Sequence, residues 1–504
     1  MPQRSFILLV LFLLFTTATR LEASTYEYTN NCKMAYQSFL SLHLVDGHNY
    51  IANEAKDNPG NLLAVYIADY EDCTLLLLNC NKNDYGQRRS HFGERLTLLD
   101  KGDKKSPWYR LCKAGVYLHW AIINVRFGDQ YKAAINFHRS FSLLNDNQKL
   151  FPNFEYNQVF AGLEEAVIGA LPGSYKWVAS VFGMKGNIQD GTAKITGFMN
   201  SHNPGQPFYN ETVLYYAYVR FYLLSEQQEV WNFFNSSLFI THGNLLNSFV
   251  KATIGLDYRR ADEVINVLKS ASLEPDYNHF PIFNYQLAAA LLTKLDTASI
   301  TYFQKYLANN KSDILIKDTW QKIGFAYHLS GNTAKADYCL TQIKTQGSTR
   351  IDADKQASRF AENCVWPLSP LLQARLLIEG GYYERALAIL NRIPPATLIN
   401  PVDKAEYHFR LGRAYDELAI SNPGKSYVQL ALAQYRNSII QGKDRHEQFA
   451  ARSALQIGKI YERLDMKTEA INKYKECLDM PAHDFQNSID QQAKAGINRM
   501  ENKQ

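Results

Sequence analysis

The sequence predicts an all-α protein, built as an α-solenoid of antiparallel helical hairpins. Apolar residues recur at helical spacing through most of the chain. Strand signals, in which apolar and polar residues alternate between glycine-rich turns, are almost absent. One side-chain pattern also repeats in the C-terminal half, and such repetition is typical of stacked helical pairs. A single compact core stops growing at about 250–300 residues. The 504 residues therefore form either several domains or one extended repeat array.

The repeated pattern is clearest at 317–343. Gly324 allows two helices to approach closely, and Ala336 provides a small contact on the second helix. The full set in this copy is Trp320, Ile323, Gly324, Tyr327, Gly331, Ala336 and Leu340. Further copies occupy 405–439 and 451–481, a weaker one runs from 374 to 395, and fainter second-helix echoes begin at Ala261 and Ala298.

These copies resemble the tetratricopeptide repeat (TPR) superfamily. The resemblance implies a TPR-like right-handed superhelix in which the first helix of each hairpin lines a concave groove. Over roughly 108–500 the chain also resembles the tetratricopeptide repeat protein 39 family. That resemblance rests on Leu171-Pro172, on 181–186 leading to Gly191, and on 487–490. It implies an α-solenoid with no known catalytic residues.

Carried onto the matching positions, the TPR resemblance implies partner-binding residues in three first helices. These residues are Phe325, His328, Phe409, Arg413, Asp416, Arg452, Lys459 and Glu462. Members that bind an acidic C-terminal chaperone tail have Lys and Asn at the fifth and ninth positions. This chain has Phe409 with Arg413, and Leu455 with Lys459, so that specific mode of docking is not predicted.

The first 23 residues have the pattern of a signal peptide. Arg4 precedes the apolar run from Phe6 to Phe15, and small residues follow it. The run is too short to span about 30 Å of hydrocarbon comfortably. The first cysteine, Cys32, lies too far along for a lipoprotein, and no later stretch reaches transmembrane length. We therefore predict an exported protein, periplasmic or secreted, with the cleavage site left open.

Two prolines and a glycine at 203–207 mark the best boundary within the predicted mature chain, because they interrupt any helix. We predict a helical N-terminal region over 24–205. Helical repeats follow over 206–370, with one clear copy at 317–343, and a C-terminal TPR array covers 371–504.

Several function classes lack their sequence signals. The net charge is only +5 and the basic residues do not cluster, so nucleic-acid binding is not predicted. The chain has no metalloprotease, nucleophile-elbow or dinucleotide-binding motif. Gly424-Lys425-Ser426 lacks the first glycine of a phosphate loop. We predict no enzyme activity, cofactor or metal, and the seven scattered cysteines predict buried thiols rather than a disulfide framework.

The predicted function is that of an exported, non-enzymatic scaffold that binds a protein or peptide in its concave groove. The alternative is a periplasmic glycan- or nutrient-binding protein. That alternative draws on the aromatic cluster around Tyr215, Tyr218 and Tyr222, which share one helical face and could equally pack in a core. Asn210, Asn235 and Asn310 begin glycosylation triplets. The partner, the source and the oligomeric state stay open.

Overall fold

The computed structural model describes residues 24–171, 173–423 and 426–502, except for the side chains of residues 174, 175, 177, 178 and 502. The predicted signal peptide at 1–23, Pro172, Gly424 and Lys425 lie outside the described residues. Every regular element within them is helical, and one isolated β-bridge joins Thr25 to Asn61. The all-α prediction is confirmed.

The chain divides into two compact units, Met1–Asn247 and Ser248–Gln504. The proline-glycine segment at 203–207 lies inside the first unit. None of the described helices is both long enough and apolar enough to cross a membrane.

The first unit contains twelve described helices, and a π-helical turn at Val219–Leu223 continues the eleventh. The helices are α1 (Asn30–Phe39), α2 (Leu44–Asp57), α3 (Leu62–Ile67), α4 (Asp69–Asn79), α5 (Lys82–Leu99), α6 (Pro107–Phe127), α7 (Gln130–Leu150), α8 (Asn157–Ala170), α9 (Gly173–Val181), α10 (Ile188–Ser201), α11 (Tyr209–Tyr218) and α12 (Gln227–Phe234).

Helices α6 and α7 pack together as a long hairpin. The Ser106 side chain accepts a hydrogen bond from the Trp108 backbone N–H at the start of α6. Gly128 ends α6 with φ at 86°, a left-handed conformation that favours glycine. Asp129 then caps the start of α7.

Aromatic rings fill the core of the first unit. The ring of Tyr66 lies 5.7 Å from that of Phe208, 6.3 Å from Phe160 and 5.8 Å from the imidazole of His119. These residues are distant in sequence, so the packing depends on contacts between several helices.

Consecutive helices in the second unit pair as antiparallel hairpins. The chain from residue 245 forms α13 (Leu245–Asp257), α14 (Ala261–Ala271), α15 (Ile282–Thr293), α16 (Ser299–Asn309), α17 (Ile316–Leu329), α18 (Thr333–Thr345), α19 (Asp352–Asn363), α20 (Ser369–Gly380), α21 (Tyr383–Leu390), α22 (Pro401–Ser421), α23 (Tyr427–Gly442), α24 (Phe449–Arg463), α25 (Lys467–Leu478) and α26 (Gln486–Asn502). The predicted solenoid of helical hairpins is confirmed.

Glycines of the first helices make the close contacts that the repeat pattern predicts. A Cβ atom at Gly412 would lie 2.6 Å from the ring of Tyr435, and one at Gly458 would lie 2.6 Å from the ring of Tyr474. Gly496 approaches Tyr474 from α26, where a Cβ atom would lie only 2.4 Å from the ring. Tyr474 is therefore held between two glycine-bearing helices.

Helix α19 is an addition that the repeat pattern does not predict. Its Asp354 is fully buried and accepts backbone hydrogen bonds from Leu315 at 2.6 Å and Asp318 at 3.0 Å. These bonds satisfy N–H groups at the start of α17 that have no partner within the helix. Trp366 follows α19 and covers Gly324, where a Cβ atom would lie 2.9 Å from its ring.

Candidate functional site

The first helices of the last repeats lie side by side. Helix α20 packs on α22, α22 on α24, and α24 on α26. Charged side chains from these helices meet across the contacts. We call this set the charged face; it consists of Arg375, Glu379, Glu406, Arg410, Arg413, Asp416, Glu417, Arg452, Lys459 and Glu462.

The two predicted phenylalanines lie beneath this layer of charge. Phe325 and Phe409 are buried, with 4% and 3% of their surface accessible. The guanidinium of Arg375 lies 5.9 Å from the centre of the Phe325 ring, and that of Arg410 lies 5.4 Å from the Phe409 ring. Both distances suit cation–π contacts, so each ring supports an arginine at the surface.

His328 lies apart from these ionic contacts, against the loop after α19. Its ring stacks on Trp366 with the centroids 5.1 Å apart. Its Nε2 lies 2.9 Å from the carbonyl oxygen of Pro367. This histidine therefore ties the loop to α17.

Ion pairs join the middle of the charged face. Arg413 pairs with Glu417 one turn further along α22, and Arg259 reaches the same carboxylate at 2.9 Å. Asp416 pairs with Arg463 of α24. The Asp416–Arg463 pair joins two neighbouring first helices, α22 and α24, and so helps to fix their spacing.

Glu462 makes the corresponding connection at the end of the array. It accepts hydrogen bonds from Arg499 of α26 at 2.7 Å and 3.0 Å, and another from the hydroxyl of Tyr474. The tyrosine that fills the glycine contact therefore also anchors the surface charge.

Arg452 and Lys459 differ from the other cations of the charged face. Neither has a carboxylate within ion-pair distance in the part of the chain that the structure describes. The Arg452 guanidinium lies 5.3 Å from the ring of Phe485, and the Lys459 Nζ donates to Gln492 at 2.8 Å. Both partners are neutral, so two positive charges remain uncompensated by short-range pairing.

The surroundings of these two cations disfavour their charge. Burial, assisted by nearby Arg410, Arg375 and Arg413, lowers the pKa of Arg452 to about 10. Burial, assisted by Arg413 and Arg499, lowers the pKa of Lys459 to about 8. Uncompensated like charges of this kind are more common at binding sites than in structural regions.

Sequence reasoning missed several members of the charged face. Arg375 and Glu379 pair within α20, in the weakly matched repeat, with 39% and 45% of their side chains accessible. Burial acts to raise the pKa of the Glu379 carboxyl, but neighbouring positive charges, above all Arg375, hold this pKa below its usual range. Applying the repeat register to the weak copy at 374–395 would have identified both residues.

The predicted tyrosine cluster in the first unit divides between surface and interior. Tyr218 and Tyr222 are 46% and 41% exposed, with ring centroids 5.4 Å apart. Burial raises the pKa of Tyr215 well above its usual value. The exposed pair could contact a ligand, whereas Tyr215 contributes to packing.

The charged face can bind and orient an anionic group through Arg452 and Lys459. Its arginines and lysine are donors, and its carboxylates already accept hydrogen bonds from basic side chains of their own or neighbouring helices. No group of three metal-ligating side chains comes together anywhere in the described residues.

Neither the family models nor the curated proteins compared with this chain match it. Among solved structures, the chain is similar to the crystal structure of the APC/C hetero-tetramer Cut9-Hcn1. That match has 10% sequence identity and a TM-score of 0.25, and it covers 92% of this chain and 97% of the other. A score this low carries no functional argument, so function must be inferred from the residues of this chain.

Proposed function

We propose that the protein is an exported, non-enzymatic scaffold that binds an acidic segment of a protein partner on the charged face. The observation that carries this proposal is that Arg452 and Lys459, about two turns apart on α24, both lack a carboxylate partner among the described residues. An incoming Asp or Glu side chain would supply the missing counter-charge. Removing a repulsive interaction in this way adds to the free energy of binding.

The mixture of charges favours a protein partner over nucleic acid. Glu379, Glu406 and Glu417 lie among the arginines and would repel a continuous line of phosphates. A protein segment can instead alternate its side chains to match both signs. The predicted residues Arg413, Asp416 and Glu462 would then keep the helices in register around the bound segment.

Export remains part of the proposal and draws on the apolar N-terminal run. One structural observation is compatible with export. Asn235, Ser236 and Ser237 form a glycosylation triplet that is exposed at its three positions.

A labelled synthetic peptide rich in glutamate tests the binding proposal. We expect the double variant Arg452→Gln/Lys459→Gln to lower the peptide's affinity at least about tenfold, which corresponds to about 1.4 kcal/mol. The same peptide with glutamine in place of glutamate should bind neither protein. Fluorescence anisotropy of the full chain measures both.

Arg436→Gln/Lys475→Gln is the matched control, because both residues are exposed on second helices and the net charge changes equally. The control should bind like the unaltered chain. Equal losses in the two double variants would indicate a non-specific charge effect and overturn the proposal, as would no loss in either.

A further inference from the structure

A cleft in the first unit is separate from the charged face. Helices α5 and α7 both pack on α6 and diverge above it. The space between them has a volume of about 770 Å³ and is lined by all three helices. This size lies within the range of about 300–1,000 Å³ that is usual for small-molecule sites.

Aromatic rings line one wall of the cleft. The rings of Tyr85 and Phe127 stack with their centroids 4.4 Å apart and their planes at 16°. Phe92 and Trp120 continue the wall, with centroids 5.4 Å apart. All four rings line the cleft.

A buried amide without a partner faces these rings. Asn136 is only 6% exposed and lines the cleft, yet its side chain forms no hydrogen bond with any residue described. The Asn136 amide is therefore available to pair with a ligand or with water in the cleft. Asn124 is also present, and its Oδ1 accepts a hydrogen bond from the hydroxyl of Tyr85 at 3.1 Å.

The α5 side of the cleft has an open stretch of backbone. No atom lies within 4 Å of the position that a Cβ atom of Gly86 would occupy. Glycine inside a helix costs about 1 kcal/mol relative to alanine, so its presence here is not explained by helix stability. It leaves room for a ligand to approach the helix closely.

We propose that this cleft binds a saccharide. A sugar ring has an apolar C–H face that can lie on Tyr85, Phe127 and their neighbours. Its hydroxyl groups can both donate to and accept from the planar amide of Asn136. Such a ligand uses the rings and the unpaired amide together, whereas a purely apolar ligand would leave Asn136 unsatisfied.

The charges at the rim decide against a phosphorylated ligand. Lys132 is paired with Asp129 at 2.8 Å, and that carboxylate would repel phosphate. Arg89 is exposed at the rim and has no partner among the described residues. One unpaired cation suits either a neutral sugar or a sugar with a single carboxylate.

Titration of the full chain with defined trisaccharides tests the proposal. The probes are trimers of glucose, of N-acetylglucosamine and of a hexuronic acid. Their binding is measured by calorimetry and by tryptophan fluorescence. We expect at least one to bind with a Kd of about 1 mM or tighter. Asn136→Leu, and independently Gly86→Leu, should weaken that binding at least about tenfold.

Gly93→Leu is the matched control, because Gly93 lies on the same helix, is equally open, and does not line the cleft. Its affinity should equal that of the unaltered chain. Arg89→Gln should weaken only the uronic-acid trimer, and equal weakening of all sugars would place Arg89 in ring binding. The absence of binding by all three trimers would overturn the proposal, and so would unchanged affinity in both cleft variants.

Discussion

In the second unit, one contact between a glycine and a tyrosine recurs from repeat to repeat. The core of the first unit is instead built from aromatic contacts that occur only once. In the second unit, a Cβ atom at Gly412 would lie 2.6 Å from the ring of Tyr435, and one at Gly458 would lie 2.6 Å from the ring of Tyr474. Each contact joins two neighbouring helices and depends little on more distant parts of the chain. The first unit instead gathers Tyr66, Phe160 and Phe208 from distant segments into one core.

The two units also treat charge differently. In the second unit, ion pairs such as that between Asp416 and Arg463 join neighbouring first helices. The first unit buries Glu164 and Glu211, and burial raises the pKa of both. Charge therefore connects repeats in the second unit, whereas the core of the first unit holds two carboxyl groups whose neutral form is favoured by burial.

The largest expected effect is the response of the first unit to pH. Burial raises the pKa of Glu164 from 4.5 to about 8. The unfolded chain therefore loses this proton at lower pH than the folded chain does, and stability falls as pH rises from 5 to 8. The expected loss is on the order of 3 kcal/mol, and Glu164→Gln should remove this contribution.

Hydrogen exchange of peptides from α8, measured at pH values from 5 to 8 and corrected for intrinsic rates, detects this change. Glu165→Gln is the control, because Glu165 is adjacent, partly exposed and paired with Lys194. A pH response that persists in the Glu164 variant would contradict the assignment. It would then have to come from another buried group such as Glu211.

An intermediate effect on the free energy of unfolding should distinguish a helical glycine that faces a buried ring from one that lies in open space. Gly458→Ala forces a methyl group towards the buried ring of Tyr474, and overpacking of this kind costs about 1–3 kcal/mol. Gly93→Ala in the first unit places its methyl group in open space and should stabilise α5 by about 0.5–1 kcal/mol. Chemical denaturation of the full chain measures both changes. Equal stabilisation by the two substitutions would show that the repeat glycines do not set the helix spacing.

The repeats were predictable because their signals are local. Gly324, Gly412 and Gly458 each precede a tyrosine by three residues, and the small residue of the partner helix follows within the same short segment. Neighbouring helices then pair in sequence order. The placement of Arg413, Lys459 and the other predicted site residues on first helices follows from the same register.

Other features depend on contacts that no local pattern contains. Helix α19 is inserted between hairpins, and its Asp354 caps the start of α17 from more than thirty residues away. The cleft above α6 exists because α5 and α7 diverge, which neither helix specifies alone. The pairing of Arg463 with Asp416, which leaves Lys459 without a carboxylate, also requires the packed structure.

The smallest expected effect concerns Lys459, and it connects stability to binding. Burial and nearby arginines lower its pKa from 10.5 to about 8, so the folded chain binds this proton less tightly than the unfolded chain. Stability should therefore rise with pH between about 8 and 10.5. Lys459→Met should stabilise the chain at pH 7 by less than about 1 kcal/mol, after allowance for solvent screening, and by less still at pH 10.

Denaturation at the two pH values measures this change in stability, with Lys475→Met on α25 as an exposed control. A variant that is destabilised equally at both pH values would show that the Gln492 hydrogen bond outweighs the repulsion, and the functional argument from an unfavourable cation would fail. Stabilisation together with loss of the acidic peptide would instead show that the charge serves binding at the expense of folding.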